Sequence, residues 1–328
     1  MNTPMPLVSF VIPVLDDAER LGRCLESIRR SEHDAAGLEM IVVDNGCVDG
    51  SASVARRAGA KVVALPNARV SELRNRGARL GRGQIVAFVD ADHAINPAWV
   101  RSAVETLQTP GVGAAGAPYR APENGTWVQQ MYDRLRARHA GRRDVEWLAS
   151  GNIAVWRTAF EQVGGFDPRL DACEDVDFCQ RLRAAGLRVI SDDRLESIHF
   201  GDPATLRALF RGELWRGRGN VRTSFRRPTT VRLVASALVP LVDLALMAVT
   251  LAGLATATRG GLAWSAIAAA GIGALAALRA VRMLARRGSM TAREVGRALL
   301  VAAVYDLARA LALVTRARHP RARPTAAA

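Results

Sequence analysis

The chain has 328 residues, 49% of them hydrophobic and 23% charged. That length exceeds one small domain, and that composition excludes a chain disordered along most of its length. The net charge of +14 is uneven: residues 1–200 hold 25 basic and 26 acidic side chains, whereas residues 201–328 hold 20 and 5. The first part reads as an ordinary globular domain. The second is both basic and apolar, which points to a membrane surface and away from nucleic acid. Cys24, Cys47, Cys173 and Cys179 show no CxxC spacing, so neither a disulfide framework nor a zinc site is expected. The apolar run at residues 8–14 is too short for a signal peptide and has no basic flank, so it reads as a strand.

The first 120 residues alternate strand and helix patterns. Residues 8–14, 39–43, 61–65 and 85–89 are short β-rich runs. Residues 17–30, 51–58, 70–80 and 97–107 have helical spacing, with Pro97 in a first turn. This order predicts an α/β fold: a Rossmann-like, mainly parallel sheet with helices on both faces. Ligands bind such sheets at the carboxyl ends of the strands. Residues 13–16, 44–49 and 90–92 fall there. Further on, Ser150-Gly-Asn152 precedes a short helix and Gly164-Gly-Phe-Asp167. Residues 174–185 read as a helix, 188–190 as a strand, and Ser197-Ile-His199 closes the domain, bounded at 205.

Residues 206–232 form a basic helical stretch, followed by apolar segments at about 233–257, 261–281 and 295–315. The first two reach the length of a membrane span, roughly 20 residues. The third carries Arg297, Asp306 and Arg309, which cost less at an interface than at mid-membrane. Arg282, Arg286, Arg287 and Arg293 in the loop between the second and third segments are placed on the cytoplasmic side by the positive-inside rule. So are the basic stretch and the tail. Two spans and one interfacial helix meet that demand; three spans do not. The expected location is the cytoplasmic membrane, with the first domain facing the cytosol and the basic stretch on anionic lipid.

Three motifs carry chemistry. Asp90-Ala-Asp92 ends an apolar strand, and carboxylates at i and i+2 point the same way, so both can address one Mg²⁺ or Mn²⁺. Asp44 opens an Asp/Asn/Gly turn where it can accept an N–H from a base, and Asp49 can cap the next helix. Glu174-Asp175-Val-Asp177, with Asp171, crowds acids at a helix start. A carboxylate there can deprotonate an acceptor hydroxyl, with its pKa raised by its neighbours. His199 is a candidate third metal ligand or base.

The ordered set Val8-Ser-Phe-Val-Ile-Pro-Val14, Val42-Val-Asp-Asn-Gly-Cys-Val-Asp-Gly-Ser51, Leu73-Arg-Asn-Arg-Gly-Ala78, Phe88-Val-Asp-Ala-Asp92, Ser150-Gly-Asn152, Gly164-Gly-Phe-Asp167 and Cys173-Glu-Asp-Val-Asp177 resembles family 2 glycosyltransferases of the GT-A fold. The resemblance covers about residues 6–200. It implies an inverting transferase that uses a nucleotide-diphospho-sugar, with UDP as the default nucleotide, and a divalent metal. By matching position it puts Pro13 and Asp44 at the nucleoside, Arg74 near the base or phosphates, and Asp90 at the ribose. Asp92 goes to the metal, with His199 at the metal or diphosphate. Ser150-Gly-Asn152, Gly165 and Glu174 lie by the donor sugar and acceptor, and Asp175 is the base. Val14-Leu15-Asp16 departs from the pattern, where many members carry an aromatic residue and Asn. No Gln-x-x-Arg-Trp motif is present, so a single addition is expected over polymerisation. The acceptor implied is a lipid-linked glycan or polyprenyl phosphate. A sugar nucleotidyltransferase would carry a Gly-rich basic loop after the first strand, which Val14-Leu-Asp-Asp-Ala18 is not. A non-enzymatic nucleotide-sugar scaffold sits poorly with intact Asp44, Asp90, Asp92 and Asp175.

Overall fold

The computed structural model describes residues 7–32, 37–136, 140–170, 172–217, 231–285 and 291–315, with backbone only for 231–237. Asp171, Arg286, Arg287, most of the basic stretch and the tail arginines lie outside the described residues. The chain divides into two compact units. One is Met1–Pro122 with Ala137–Gly201; the other is Glu123–Arg136 with Asp202–Ala328.

In the first unit, strands β1 (Val8–Val14), β2 (Leu38–Asp44), β3 (Lys61–Ala64) and β4 (Ile85–Val89) alternate with helices α1 (Ala18–Arg29), α2 (Ser51–Arg57) and α3 (Val70–Leu80). Then come β5 (His93–Ile95), α4 (Trp99–Leu107), β6 (Val112–Gly116), β7 (Arg142–Asp144), β8 (Asn152–Trp156), α6 (Arg157–Gln162), α7 (Glu174–Ala184), β9 (Arg188–Asp192) and β10 (Ser197–His199). Among the described residues, eight strands form one sheet in the order β3-β2-β1-β4-β8-β6-β9-β7. Its β3-β2-β1-β4 half is parallel, β8 runs antiparallel between β4 and β6, and β9 pairs parallel with β6. Strands β5 and β10 form a separate antiparallel pair.

β1 is buried throughout and apolar apart from Ser9, because both of its faces are covered. Phe10 and Ile12 pack on Leu21, Leu25 and Ile28 of α1 and on Trp99 of α4. Val11 faces the other way, into a cluster with Phe88, Phe160, Phe166 and Phe178. α3 lies so close to β1 that a Cβ at Gly77 would collide with Val11. The main departure from the expected elements here is α4, which starts at Trp99. Pro97 stands two residues ahead of it, with its carbonyl accepting from the Glu32 N–H at 2.7 Å.

The second unit holds α5 (Trp127–Asp133), α8 (Leu206–Arg216), α9 (Val231–Thr256), α10 (Arg259–Leu284) and α11 (Ala292–Leu311). Val128, Met131, Leu209, Ala280, Met283 and Val301 share its core. The apolar helices run slightly differently from the sequence expectation, because Thr258 and Thr291 cap α10 and α11 earlier than the apolar residues begin. Leu238–Thr256 and Arg259–Leu284 are long and apolar enough to cross a membrane, by length and composition. Leu251, Trp264, Ile267 and Val281 on them are exposed.

Candidate active site at the strand ends

The carboxyl ends of β1, β2 and β4 carry the polar residues that the sequence singled out. Pro13 is buried within β1, opposite Val43 of β2. At the end of β2, Asp44 Oδ1 accepts from the N–H groups of Gly46 (2.9 Å) and Cys47 (2.6 Å), an Asx turn. Asp49 accepts from Ala18 N–H (2.8 Å) and from the Ser51 N–H (3.0 Å) and hydroxyl (2.6 Å). It therefore ties α1 to α2. Burial alone would raise its carboxyl, but the bonds from Ser51 and Ala18 prevail and hold it below the usual range.

Arg74 is the hub. It projects from α3 and is only 2% exposed. Its Nη2 donates to Asp90 Oδ1 at 2.7 Å, and its Nη1 donates to Glu174 Oε1 at 2.9 Å. Ser150 Oγ donates to the same Glu174 oxygen at 3.2 Å. One guanidinium thus binds the end of β4 and the start of α7, and Glu174 in turn accepts from the loop before β8. Burial lowers the Arg74 pKa, yet the Asp90 and Glu174 carboxylates raise it further, so the group stays charged. Gly151 lies beside this junction, where a Cβ would stand 2.5 Å from Asp90 Oδ2.

Asp175 follows Glu174 and is half-buried. Its Oδ1 accepts from the Val176 N–H at 2.8 Å. Burial first, then the Glu174 carboxylate, push the Asp175 carboxyl up to about 7. Gly165 has φ +70° and its missing Cβ would meet Asn75 Oδ1 at 2.7 Å. Asn75 clamps the next residue from both sides: its Nδ2 donates to Phe166 O (2.8 Å) and its Oδ1 accepts from Phe166 N–H (2.9 Å). Asn152 is fully buried. Its Oδ1 accepts from Trp99 Nε1 at 2.9 Å, and its Nδ2 donates to Ala117 O (2.9 Å) and Leu195 O (2.8 Å). With these three bonds Asn152 ties β8 to α4.

Asp92 and His199 come together, with Nε2 3.5 Å from Oδ2. A Cβ at Gly201 would collide with Asp92. His93 joins them, and the sequence reading did not single it out. His93 and His199 are direct cross-strand partners in the β5–β10 pair, so their rings share one face, with centroids 4.6 Å apart. Ser197 Oγ lies 2.8 Å from His93 Nδ1. Tyr119 packs edge-on against both imidazoles, at 4.9 and 4.6 Å. Donor atoms of Asp92, His93 and His199 all lie within 4.8 Å of one another. One carboxylate and two imidazoles form a donor set suited to a divalent first-row cation such as Mn²⁺. Asp16, Cys47 and Asp49 also cluster. Asp16 Oδ1, however, accepts from the Val48 N–H at 2.7 Å, and Asp49 is held as above, so this group is accounted for by turn bonding.

The mixed sheet, with its parallel β3-β2-β1-β4 half and β8 inserted antiparallel between β4 and β6, is a GT-A-type fold. Residues 9–164 match the family model "Glycosyl transferase family 2". A glycosyltransferase of Haloferax volcanii, AglE, is 28% identical over 57% of this chain and 64% of its own length. The chain thus spans just under two thirds of that relative. The mannosyltransferase PcManGT of Pyrobaculum calidifontis, solved with GDP-Man and Mn²⁺, superposes with a TM-score of 0.59 at 21% identity, covering 92% of this chain and 86% of that one. GalNAc-T7, solved with UDP, GalNAc and Mn²⁺, superposes with a TM-score of 0.51 at 16% identity, over 60% and 43%.

Proposed function

We propose that the protein is an inverting, metal-dependent glycosyltransferase. It moves one sugar from a nucleoside-diphosphate donor to an acceptor on a membrane lipid, a lipid-linked glycan or polyprenyl phosphate. The observation that carries this reading is the Arg74 junction. One buried guanidinium fixes Asp90 at the end of β4 and Glu174 at the start of α7, and Asp175 adds to the same charge environment. A donor-facing acid and a base-forming acid are thereby held in one place.

In this reading Asp44 and Pro13 flank the nucleoside, Asp90 meets the ribose, and Gly165 borders the sugar. Asp92 and His199, with His93 beside them, would hold the cation. Bound there, Mn²⁺ or Mg²⁺ would offset the charge that develops on the diphosphate leaving group. Asp175 takes the proton of the acceptor hydroxyl as that oxygen attacks the anomeric carbon. The bond to the diphosphate breaks on the opposite face, which inverts the anomeric centre. A carboxyl held near neutrality is matched to this task. GDP-Man with Mn²⁺ in one structural neighbour, and UDP, GalNAc and Mn²⁺ in the other, support the donor class. Uridine diphosphate is the first donor nucleotide to test.

The apolar α9 and α10 support membrane attachment. Arg282 near the end of α10, Arg293 at the start of α11, and Arg207 and Arg211 on α8 favour the cytosolic side for these ends. α11 would then lie at the interface, with Arg297 stacked 5.3 Å over Trp127. The test is product analysis. The purified chain is incubated with nucleotide sugars, Mn²⁺ and short-chain polyprenyl phosphate or lipid-linked acceptors, and the product linkage is read by NMR. The expected product has the anomeric configuration opposite to the donor. Retained configuration contradicts the single-displacement mechanism.

A further inference from the structure

A helix on the surface of a water-soluble unit turns its charges outward and its apolar stripe inward. α11 does the reverse. Glu294 pairs with Arg134 of α5 at 3.2 Å. The Arg297 guanidinium lies 5.3 Å over the Trp127 ring of α5. Asp306 is 4% exposed, and its Oδ1 accepts from Arg279 Nε of α10 at 2.8 Å. Arg309 Nε donates to Glu213 Oε2 of α8 at 2.7 Å. That glutamate is fully buried and also accepts from Tyr132 Oη at 2.7 Å and Arg216 Nη1 at 2.9 Å. Tyr305 packs its ring against both the Arg279 and the Arg309 guanidinium groups. The charges of α11 from Glu294 onward are therefore turned to α5, α8 and α10 and matched there.

The outward face is the opposite in character. Val295, Leu299, Ala303 and Leu307 recur every fourth residue and so line one side of the helix, with Leu300 beside them. All five are exposed, and Leu300 is 52% exposed. Among the described residues after Arg293, this face carries no charge. A contiguous exposed apolar face marks an interaction surface. Its lack of charge fits hydrocarbon, and two neighbours in the same unit point the same way. α9 and α10 expose Leu251, Trp264, Ile267 and Val281 and are long and apolar enough to cross a membrane. The usual obstacle to placing such a helix against hydrocarbon is the cost of its ionised side chains. Here those side chains are paired on the protein side.

We propose that the face of α11 formed by Val295, Leu299, Leu300 and Leu307 contacts lipid acyl chains, with its paired charges holding α5, α8 and α10 on the other side. Arg297, Asp306 and Arg309, which set this segment apart in the sequence, then fasten the helix to its own unit and not to water. The proposal rests on the membrane reading of α9 and α10 and does not depend on the transferase reading.

The test uses the full chain reconstituted in phosphatidylethanolamine–phosphatidylglycerol vesicles doped with a phosphatidylcholine that carries a diazirine on its acyl chain. After illumination, labelled residues are mapped by mass spectrometry. The expected result is label on Leu299, Leu300 and Leu307, together with α9 and α10, and none on Glu294, Arg297 or Arg309. Label on α9 and α10 but not on α11 overturns this proposal and leaves the membrane reading standing. Label on none of the three helices overturns both. A diazirine amino acid placed at position 300 gives a second readout: cross-links to lipid support the proposal, whereas cross-links to a second copy of the chain in place of lipid overturn it.

Discussion

Asp175→Asn is expected to lower sugar transfer by about 10²–10⁴-fold, the usual worth of a general base, while donor binding is retained. The side chain loses its basicity but keeps its size and its bond to the Val176 N–H. The same residue sets a pH signature. It works deprotonated, and its carboxyl is pushed up from 3.8 to about 7 by burial and Glu174. The wild-type rate should therefore fall as the pH drops through about 7, far above the range of an ordinary aspartate. Glu174→Gln removes one cause of the shift and should move this limb to lower pH.

Linkage gives a second readout with its own sign. Between pH 3.8 and about 7 the folded chain holds a proton that the unfolded chain has released. This stability contribution is complete below 3.8 and is lost as the pH rises through about 7. Asp175→Asn removes that slope, so the variant should gain in thermal midpoint relative to wild type at pH 8. Transfer that survives the substitution would remove Asp175 from the base role.

Arg74→Ala is expected to destabilise the first unit by about 3–5 kcal/mol, the cost of stripping the partner from a buried ion pair. Glu174 would lose its charged partner, and Asp90 its anchor at the strand end. Arg74→Lys should not restore the loss, because a single ammonium cannot reproduce a fork that donates to two separate carboxylates. Denaturant unfolding measures both variants. An unfolding free energy within about 1 kcal/mol of wild type for Arg74→Ala would mean that the junction does not hold the site together.

The parallel half of the sheet was legible because strands buried on both faces read as unbroken apolar runs. β4 is such a run and β1 is one apart from Ser9, and their polar ends mark the site. β6 was not legible. Val112-Gly-Ala-Ala-Gly116 is made of small residues because β8 passes close to it: a Cβ at Gly116 would collide with the Asn152 carbonyl. No hydrophobic pattern records that proximity. α5 was missed although it carries a readable mark, the Thr126–Gln129 capping box.

The site divides in the same way. Asp90, Asp92, Asp175 and His199 were visible as acids at a strand end, acids at a helix start and a histidine that closes the domain. His93 was not, because its role comes from the β5–β10 register, which sets two histidines 106 positions apart on one face. Asn152 was legible as a motif residue, yet its side chain is consumed by Trp99, Ala117 and Leu195. Arg74 was expected at the base or phosphates. Its observed bonds to Asp90 and Glu174 also join two acidic segments, information that lies in the fold and not in its neighbours along the chain.

Calorimetric titration of the full chain with UDP, GDP and dTDP, with and without Mn²⁺ and alongside Asp92→Ala, tests the central claim most directly. One nucleotide is expected to bind only when Mn²⁺ is present, and this binding is expected to disappear in a folded Asp92→Ala variant. Binding of the same strength without metal, or no binding of any of the three by the folded wild-type chain, would contradict it.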